Sequence, residues 1–320
     1  MNQILLTATM NRPDPPKKVA TMTLPKRHHY VPEMLQKNFV DEDDRLWTFD
    51  SRNRERGVWR SSYENLFLEG HLYSYIHPDG TKDPSLEKSF SELESEAAPV
   101  TRKIIDAARR GSCPELTTAE RLTWDVFFYQ QWRRVPDLFA SLMTVERHRD
   151  EVERILDELE RAGRRLTNQE RSDLLDPHAL KRMRRNLRVA ALKTGSDNVL
   201  EVIGARGIVI GRVDNFKKSF VLGSRPVVKL TPAGITDLRD ARVELWLPIA
   251  SDVIVGVGLY DKTELLIPFN TAQVRNQNEA SAKQSTQIVG RSSALVKSLA
   301  KGVGTKVFFT PVAAPDLEVA

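Results

Sequence analysis

The sequence predicts an α+β protein, with a helical N-terminal half packed against a mostly antiparallel sheet in the C-terminal half. Two contrasting stretches and a shared break carry that expectation. Residues 84–194 are dominated by apolar positions at helical spacing, such as Phe90, Leu93, Ala97, Ile104 and Ile105. From residue 201 onward the chain turns to short β-branched-rich runs at 201–213, 219–222, 226–230, 243–248, 252–259 and 264–268. The change falls at Gly195-Ser196-Asp197-Asn198. This divides the chain into a flexible tail (1–25), a mainly helical part with an early β-hairpin (26–194) and a sheet-rich part with C-terminal helices (195–320). Residues 26–310 can also be read as one domain.

Each element has a local reason. Pro13, Pro15, Pro16 and Pro25 with few aromatics mark the tail, and Met22 is a second possible start. Lys26 to Val31 reads as an extended lead-in, because Pro32 pushes Val31 out of the helical region. Pro32 then opens a short helix to Phe39, with Leu35 and Phe39 one turn apart. Arg45–Asp50 alternates, with Trp47 and Phe49 on one face, and pairs with Gly57–Arg60 as a hairpin. Its tip carries Arg52, Arg54 and Arg56, either as a solvated loop or as a phosphate contact. Residues 61–83 read as irregular, with a turn at Pro78-Asp79-Gly80.

Pro84-Ser85 starts a long helix that Gly111 stops near Arg110, with Pro99 expected to kink it. Thr117 and Glu120 have the spacing of a capping box for a second long helix that is apolar on nearly every side. Pro136 kinks or restarts that helix, and the pattern continues from Asp137 to Arg161. Thr167 caps another helix. His178–Lys193 is a basic amphipathic helix bearing Lys181, Arg182, Arg184, Arg185 and Arg188. In the sheet region Asp214-Asn215 reads as a hairpin turn. A helix from Asn270 to Lys283, a strand at Gln287-Ile288-Val289 and a final helix at Ser293–Ala300 complete the chain.

Composition narrows the function classes. With 48 basic and 43 acidic residues, a net charge of +5 and a pI near 9.2, a nucleic-acid partner is permitted. The single cysteine, Cys113, excludes an intramolecular disulfide and a cysteine-rich zinc cluster, and fits a reducing cytoplasm. No apolar run approaches the roughly 18 residues of a membrane span, and Ile4-Leu5-Leu6 is too short for a secretory signal. A cytoplasmic protein without a membrane partner is expected. The phosphate-binding, dinucleotide-binding and nucleophile-elbow motifs are absent, and Cys113 has no evident base beside it.

The candidate chemistry begins at His28-His29-Tyr30-Val31-Pro32. On an extended segment the two histidines face opposite ways, so one is expected inside and the other solvated. Glu87 and Glu94 lie two turns apart on one side of their helix. Gln131 and Arg134 fall on a helix expected to be buried. A buried guanidinium needs a partner, and Glu87 or Glu94 can provide it.

Four blocks of the chain resemble the bacterial domain-of-unknown-function family numbered 4238. They are Lys26-Arg27-His28-His29-Tyr30-Val31-Pro32 with Leu35 and Asn38-Phe39; the helix bearing Glu87 and Glu94; Gln131-Trp132-Arg133-Arg134-Val135-Pro136; and Phe220 to Pro226 with Leu247-Pro248-Ile249. The last block departs from the family's Thr-Ser-Asp-x-Pro pattern, since Arg225 stands where the aspartate is usual. Either that aspartate's role is altered here, or the register shifts and Asp214 takes part. The resemblance implies no activity.

Two functional expectations follow. One is a metal-dependent nuclease or phosphodiesterase, in a setting such as phage defence. The His-His-x-x-Pro opening is similar to the start of His-metal finger nucleases, for which Asn65 and His71 are the downstream candidates. Within it, His28, His29, Glu87, Gln131 and Arg134 are the expected catalytic set, and His29, Glu87 and Glu94 the ligands of a divalent metal ion. Arg133, Lys181, Arg182, Arg184, Arg185 and Ser224 are expected to hold substrate. The other expectation is a non-catalytic regulator that binds nucleic acid or protein, its His, Glu, Gln and Arg side chains forming a buried structural network.

Overall fold

The computed structural model describes residues 27–305, apart from Thr236, Leu259 and Asp261. The tail at 1–25, its alternative start Met22 and Lys26 lie outside the described residues. The first strand, β1 (Arg27–His29), leads through Pro32 into α1 (Glu33–Gln36), which tightens to a 3₁₀ turn ending at Phe39. Leu35 and Phe39 are both sealed in the core, as their one-turn spacing requires. The expected hairpin is present: β2 (Leu46–Asp50) pairs antiparallel with β3 (Trp59–Ser61). Its basic tip is spent within the molecule. Arg52 grips Asp50, Arg54 donates to the carbonyl of Val303, and Arg56 lies over the Trp59 ring.

Residues 61–83 are more ordered than their composition suggests. They form β4 (Leu68–Gly70), which pairs antiparallel with β1, and a ribbon of β5 (Tyr75–Ile76) with β6 (Lys82–Asp83). The β1–β4 pairing joins distant segments, whereas β5 and β6 pair locally across the Pro78-Asp79-Gly80 turn. The long helix α2 (Ser85–Arg110) ends where Gly111 adopts a left-handed φ, and it runs on through Pro99. The helix α3 (Thr118–Arg133) begins at the Thr117–Glu120 capping box. Val135 is extended and Pro136 restarts the chain as α4 (Pro136–Leu142).

Three sequence expectations need correction. Asp137–Arg161 is not continuous helix, because Thr144 caps a separate α5 (Val145–Arg161) by accepting from the Arg147 amide. After α6 (Asn168–Leu174) and α7 (Pro177–Thr194), residues Asp197–Ala205 form helix α8, not strand. Val199, Leu200 and Ile203 present a helical stripe to the core beside α3, and this packing overrides the β-branched propensity. Arg121 on α3 donates to the carbonyls of Ile203 and Arg206 at the end of α8. Arg206, buried, in turn donates to the carbonyls of Gly258 and Val243.

The third correction concerns Asp214-Asn215, which closes no hairpin. The strand before it, β7 (Ile208–Val213), and the strand after it, β8 (Leu222–Gly223), belong to different sheets. Between them the Phe220 amide donates to Ser251 and the Val221 amide to the Asn278 side chain. The remaining strands are β9 (Val228–Leu230), β10 (Glu244–Pro248), β11 (Val253–Val257) and β12 (Glu264–Phe269). Then come α9 (Thr271–Gln284), β13 (Gln287–Gly290) and α10 (Ser293–Leu299).

A five-stranded sheet has the order β12-β7-β11-β10-β9, antiparallel except for the parallel β12–β7 pair. Pro268 is tolerated because β12 is an edge. A four-stranded antiparallel sheet has the order β3-β2-β13-β8, so it joins strands from near both ends of the described chain. One apolar core runs from Tyr30 and Leu35 through Phe127 and Phe128 to Leu245 and Ile254. The fold is α+β, with its helices mainly in the middle and its strands toward both ends.

Two glycines in the larger sheet make room for an aromatic pair. A Cβ at Gly256 would stand 2.5 Å from the Trp246 ring, and one at Gly211 would stand 2.5 Å from Phe269. Trp246 and Phe269 meet edge to face at 5.3 Å. Gly256→Val is expected to destabilise the protein by about 1–3 kcal/mol through overpacking. Urea unfolding measures it, and an unchanged midpoint would show that Trp246 can move aside freely.

Candidate active site

The opening strand delivers two histidines to two environments. His28 is fully buried, while His29, on the alternate face of the strand, is half-buried. The Tyr73 backbone N–H donates to His28 Nδ1 at 3.1 Å, and the His28 ring stacks on the Tyr73 ring. That donor needs a lone pair on Nδ1, which places the proton of neutral His28 on Nε2. His71, at a left-handed φ, meets the same ring edge-on.

Helix α2 brings Glu87 to the same ring nitrogen of His28, its Oε2 3.4 Å from Nδ1. Burial, followed by the charge of Glu94, pushes the Glu87 carboxyl up to about 7, against the pull of Arg134. The Nδ1 lone pair is already taken by the Tyr73 amide, and Glu87 Oε2 is buried with no hydrogen-bond partner among the described residues. Two turns further along α2, Glu94 Oε1 lies 2.7 Å from Nη1 of the fully buried Arg134. Of the two carboxylates that could have paired with this arginine, Glu94 is the one that does.

Arg134 is held on several sides. Its Nε donates to the Tyr30 carbonyl at 3.1 Å, its guanidinium covers the Phe90 ring, and its own carbonyl accepts from the Tyr73 hydroxyl. Burial disfavours its charge, but Glu94 and Tyr73 outweigh burial and hold its pKa above the ordinary value. Its Nη2 is buried with no hydrogen-bond partner among the described residues, and the same holds for both amide atoms of Gln131. Buried groups left this way are uncommon.

His29 has a different arrangement. Nδ1 faces Glu33 at 3.6 Å, while Nε2 is buried with no hydrogen-bond partner among the described residues. Burial lowers its pKa, which keeps the ring neutral, and the charges of Glu33 and Glu94 oppose that shift.

A second polar centre adjoins the first through Tyr30 and α4. Ser224 Oγ donates to Asp137 Oδ2 at 2.6 Å, and Thr286 Oγ1 donates to the same oxygen at 2.7 Å. The Thr286 amide donates to Ser224 Oγ, so this hydroxyl is fixed from both sides. Arg225 donates to the Asp137 carbonyl and to Ser141. The Tyr30 phenol, raised by burial and by Asp137, faces Arg52. The four blocks quoted from the sequence thus supply His28, Glu87, Arg134 and Ser224 to two adjoining centres.

The other expected residues fall elsewhere. Arg133 turns away to the Ala191 carbonyl and the Tyr129 ring. Lys181 is exposed, and Arg182 is half-buried. Arg184 donates to Met143 and covers Phe139, and Arg185 donates to the carbonyls of Gly70 and His71. These arginines brace the fold, so α7 does not present them as a free basic face. Asn65 is tied to Arg27 and Ser62. Among the described residues no three His, Cys, Asp or Glu side chains are grouped so as to hold a metal ion. Of the expected ligands, Glu94 lies on Arg134 and His29 on Glu33.

Several participants escaped the sequence reading. Arg188 is buried, its guanidinium over the Tyr73 ring and 4.0 Å from Glu69. Its signal was available, because Leu180, Arg184, Arg188 and Leu192 form a stripe at four-residue spacing on α7. Tyr73, Asp137 and Thr286 gave no such signal, since their partners are distant in sequence.

No curated protein and no solved structure matches the chain. The family model described as "Protein of unknown function (DUF4238)" matches residues 27–294, which is most of the chain and includes every residue of both polar centres. The protein belongs to that family.

Proposed function

We propose that this protein is a phosphodiesterase acting on nucleic acid in the cytoplasm, with its chemistry at Glu87, beside His28, at Arg134 and at His29, whose ring feels the charge of the Glu94 that pairs with Arg134. The observation that carries the reading is Glu87, a carboxyl kept protonated close to neutral pH beside a guanidinium whose Nη2 has no hydrogen-bond partner among the described residues. Arg134 Nη2 would hold a phosphoryl oxygen. His29 Nε2, neutral and backed by Glu33, would take a proton from the attacking water as its oxygen bonds to phosphorus. The P–O bond to the leaving group would then break, and Glu87 would hand its proton to the leaving oxygen. Metal dependence is one arm of the test.

The test is hydrolysis of bis(p-nitrophenyl) phosphate and of labelled single- and double-stranded DNA and RNA. Each is run with magnesium, with manganese and with chelator, on wild type, Glu87→Gln and His29→Ala. Both variants are expected to stay folded and to lose at least about 100-fold in rate, the usual share of a general acid or base. Absence of turnover on every substrate and under every metal condition would overturn the proposal.

One observation favours the second reading, a binding regulator with a structural network. His28, Gln131 and Arg134 are fully buried, and Arg134 already satisfies Glu94 and Tyr30. On that reading no substrate is turned over by wild type, and Arg134 substitutions act on stability alone.

A further inference from the structure

The strongest unassigned surface surrounds Phe216. The chain crossing between the two sheets turns at Asn215, whose side chain accepts from the Lys217 amide while its carbonyl accepts from the Lys218 amide. This fixed turn holds Phe216 with 90% of its surface exposed. Of the exposed large apolar side chains among the described residues, Phe216 shows the greatest fraction of its surface. Lys217 and Lys218, both exposed, follow it directly.

Two depressions flank this turn. On one side a groove of about 720 Å³ runs between α9 and α10, with Lys217, Lys218, Arg275 and Lys283 on its walls. On the other, a cleft of about 390 Å³ is lined by Phe216, Lys218, Arg212, Arg109 and Arg291. Some of this charge is already neutralised, since Arg109 pairs with Asp252 and Arg275 with Glu279. Lys217, Lys218 and Arg291 remain as exposed cations near the exposed ring, with Asp214 the further carboxylate in the same cleft.

We propose that this surface binds single-stranded nucleic acid, with a base stacked on Phe216 and the backbone following the lysines into the α9–α10 groove. The chemistry selects that partner. The cations match a phosphate backbone, and a fully displayed ring needs an unpaired base, which a duplex keeps stacked inside. The basic helix α7, expected from the sequence to bear the nucleic-acid partner, has Arg184, Arg185 and Arg188 engaged within the fold. The proposal does not rest on catalysis: a protein that binds oligonucleotides without cleaving them retains this surface and loses the phosphodiesterase reading.

The test is fluorescence anisotropy with 20-nucleotide single-stranded DNA and RNA and the matching duplexes, at two salt concentrations and in the presence of chelator. Wild type is compared with Phe216→Ala, Lys217→Glu/Lys218→Glu and the surface control Arg165→Glu, an exposed cation between α5 and α6. Single strands are expected to bind more tightly than duplexes. Phe216→Ala is expected to weaken binding by about tenfold, the loss of one stacked base. The double lysine variant is expected to reduce the salt slope by at least about 1.4, from two lost single-strand phosphate contacts. Phe216 and the lysines are solvent-exposed, so circular dichroism should show all variants folded. Equal binding by Phe216→Ala and wild type would overturn the proposal. So would sedimentation of the protein with phosphatidylserine vesicles without oligonucleotide binding.

Discussion

Arg134→Met is expected to destabilise the protein by about 3–5 kcal/mol, the range for removing one partner of a buried ion pair. The guanidinium is fully buried and joins three elements: Glu94 on α2, the Tyr30 carbonyl beyond β1, and its own position at the end of α3. Methionine fills much of the volume over Phe90 but leaves the Tyr30 carbonyl without its donor and Glu94 without its cation. Denaturant unfolding of the single variants and the Arg134→Met/Glu94→Met double variant gives the coupling. The double variant is expected to recover part of the loss, since an apolar pair of similar volume tolerates burial better than an isolated charge. A single-variant loss below about 1 kcal/mol would mean that the guanidinium contributes little to holding α2 and α3 together.

The second large effect is one of pH. Glu87 titrates at about 7 in the folded protein, raised chiefly by burial, against an ordinary value of 4.5. Between those values the native state binds more protons than the unfolded state, so stability falls as pH rises. The contribution is fully present below the unfolded value and is lost as pH passes through about 7. At 1.36 kcal/mol per pKa unit, the loss from this one group is about 3 kcal/mol between pH 4 and 8. Glu87→Gln keeps the shape and removes the titration. It is expected to flatten the stability–pH curve over this window and to make the variant more stable than wild type at pH 8. A curve of unchanged slope would place the titration elsewhere. If the proposed chemistry holds, activity of the wild type also declines above about pH 7, as the acid loses its proton.

These predictions rest on residues that were partly legible in the chain. The buried His28, the half-buried His29 and the pairing of Arg134 with a glutamate of the preceding helix follow from strand alternation and from the cost of a buried charge. Arg188 was overlooked because a basic amphipathic helix invites its arginines to be read as solvated, although spacing places this one on the buried stripe. Thr286 and Asp137 could not have been found, since they meet Ser224 from 62 and 87 residues away. Among the described residues the expected metal set is spread out, with Glu94 on Arg134, His29 on Glu33 and Glu87 beside His28.

What the sequence by itself determined was local: the α+β class, the capping boxes at Thr117 and Thr167, the stop at Gly111, the restart at Pro136 and the β2–β3 hairpin. Each depends on interactions within a few residues, which a linear pattern records. Only the tertiary structure decided that Val199 to Ile203 is helical, that β13 inserts beside β2, and that the chain at Asp214 leaves its sheet without folding back. It also decided which carboxylate pairs with Arg134 and that Phe216 stands in solvent. Those outcomes are settled by burial and by pairing between distant segments, whose energies exceed the local propensities they override.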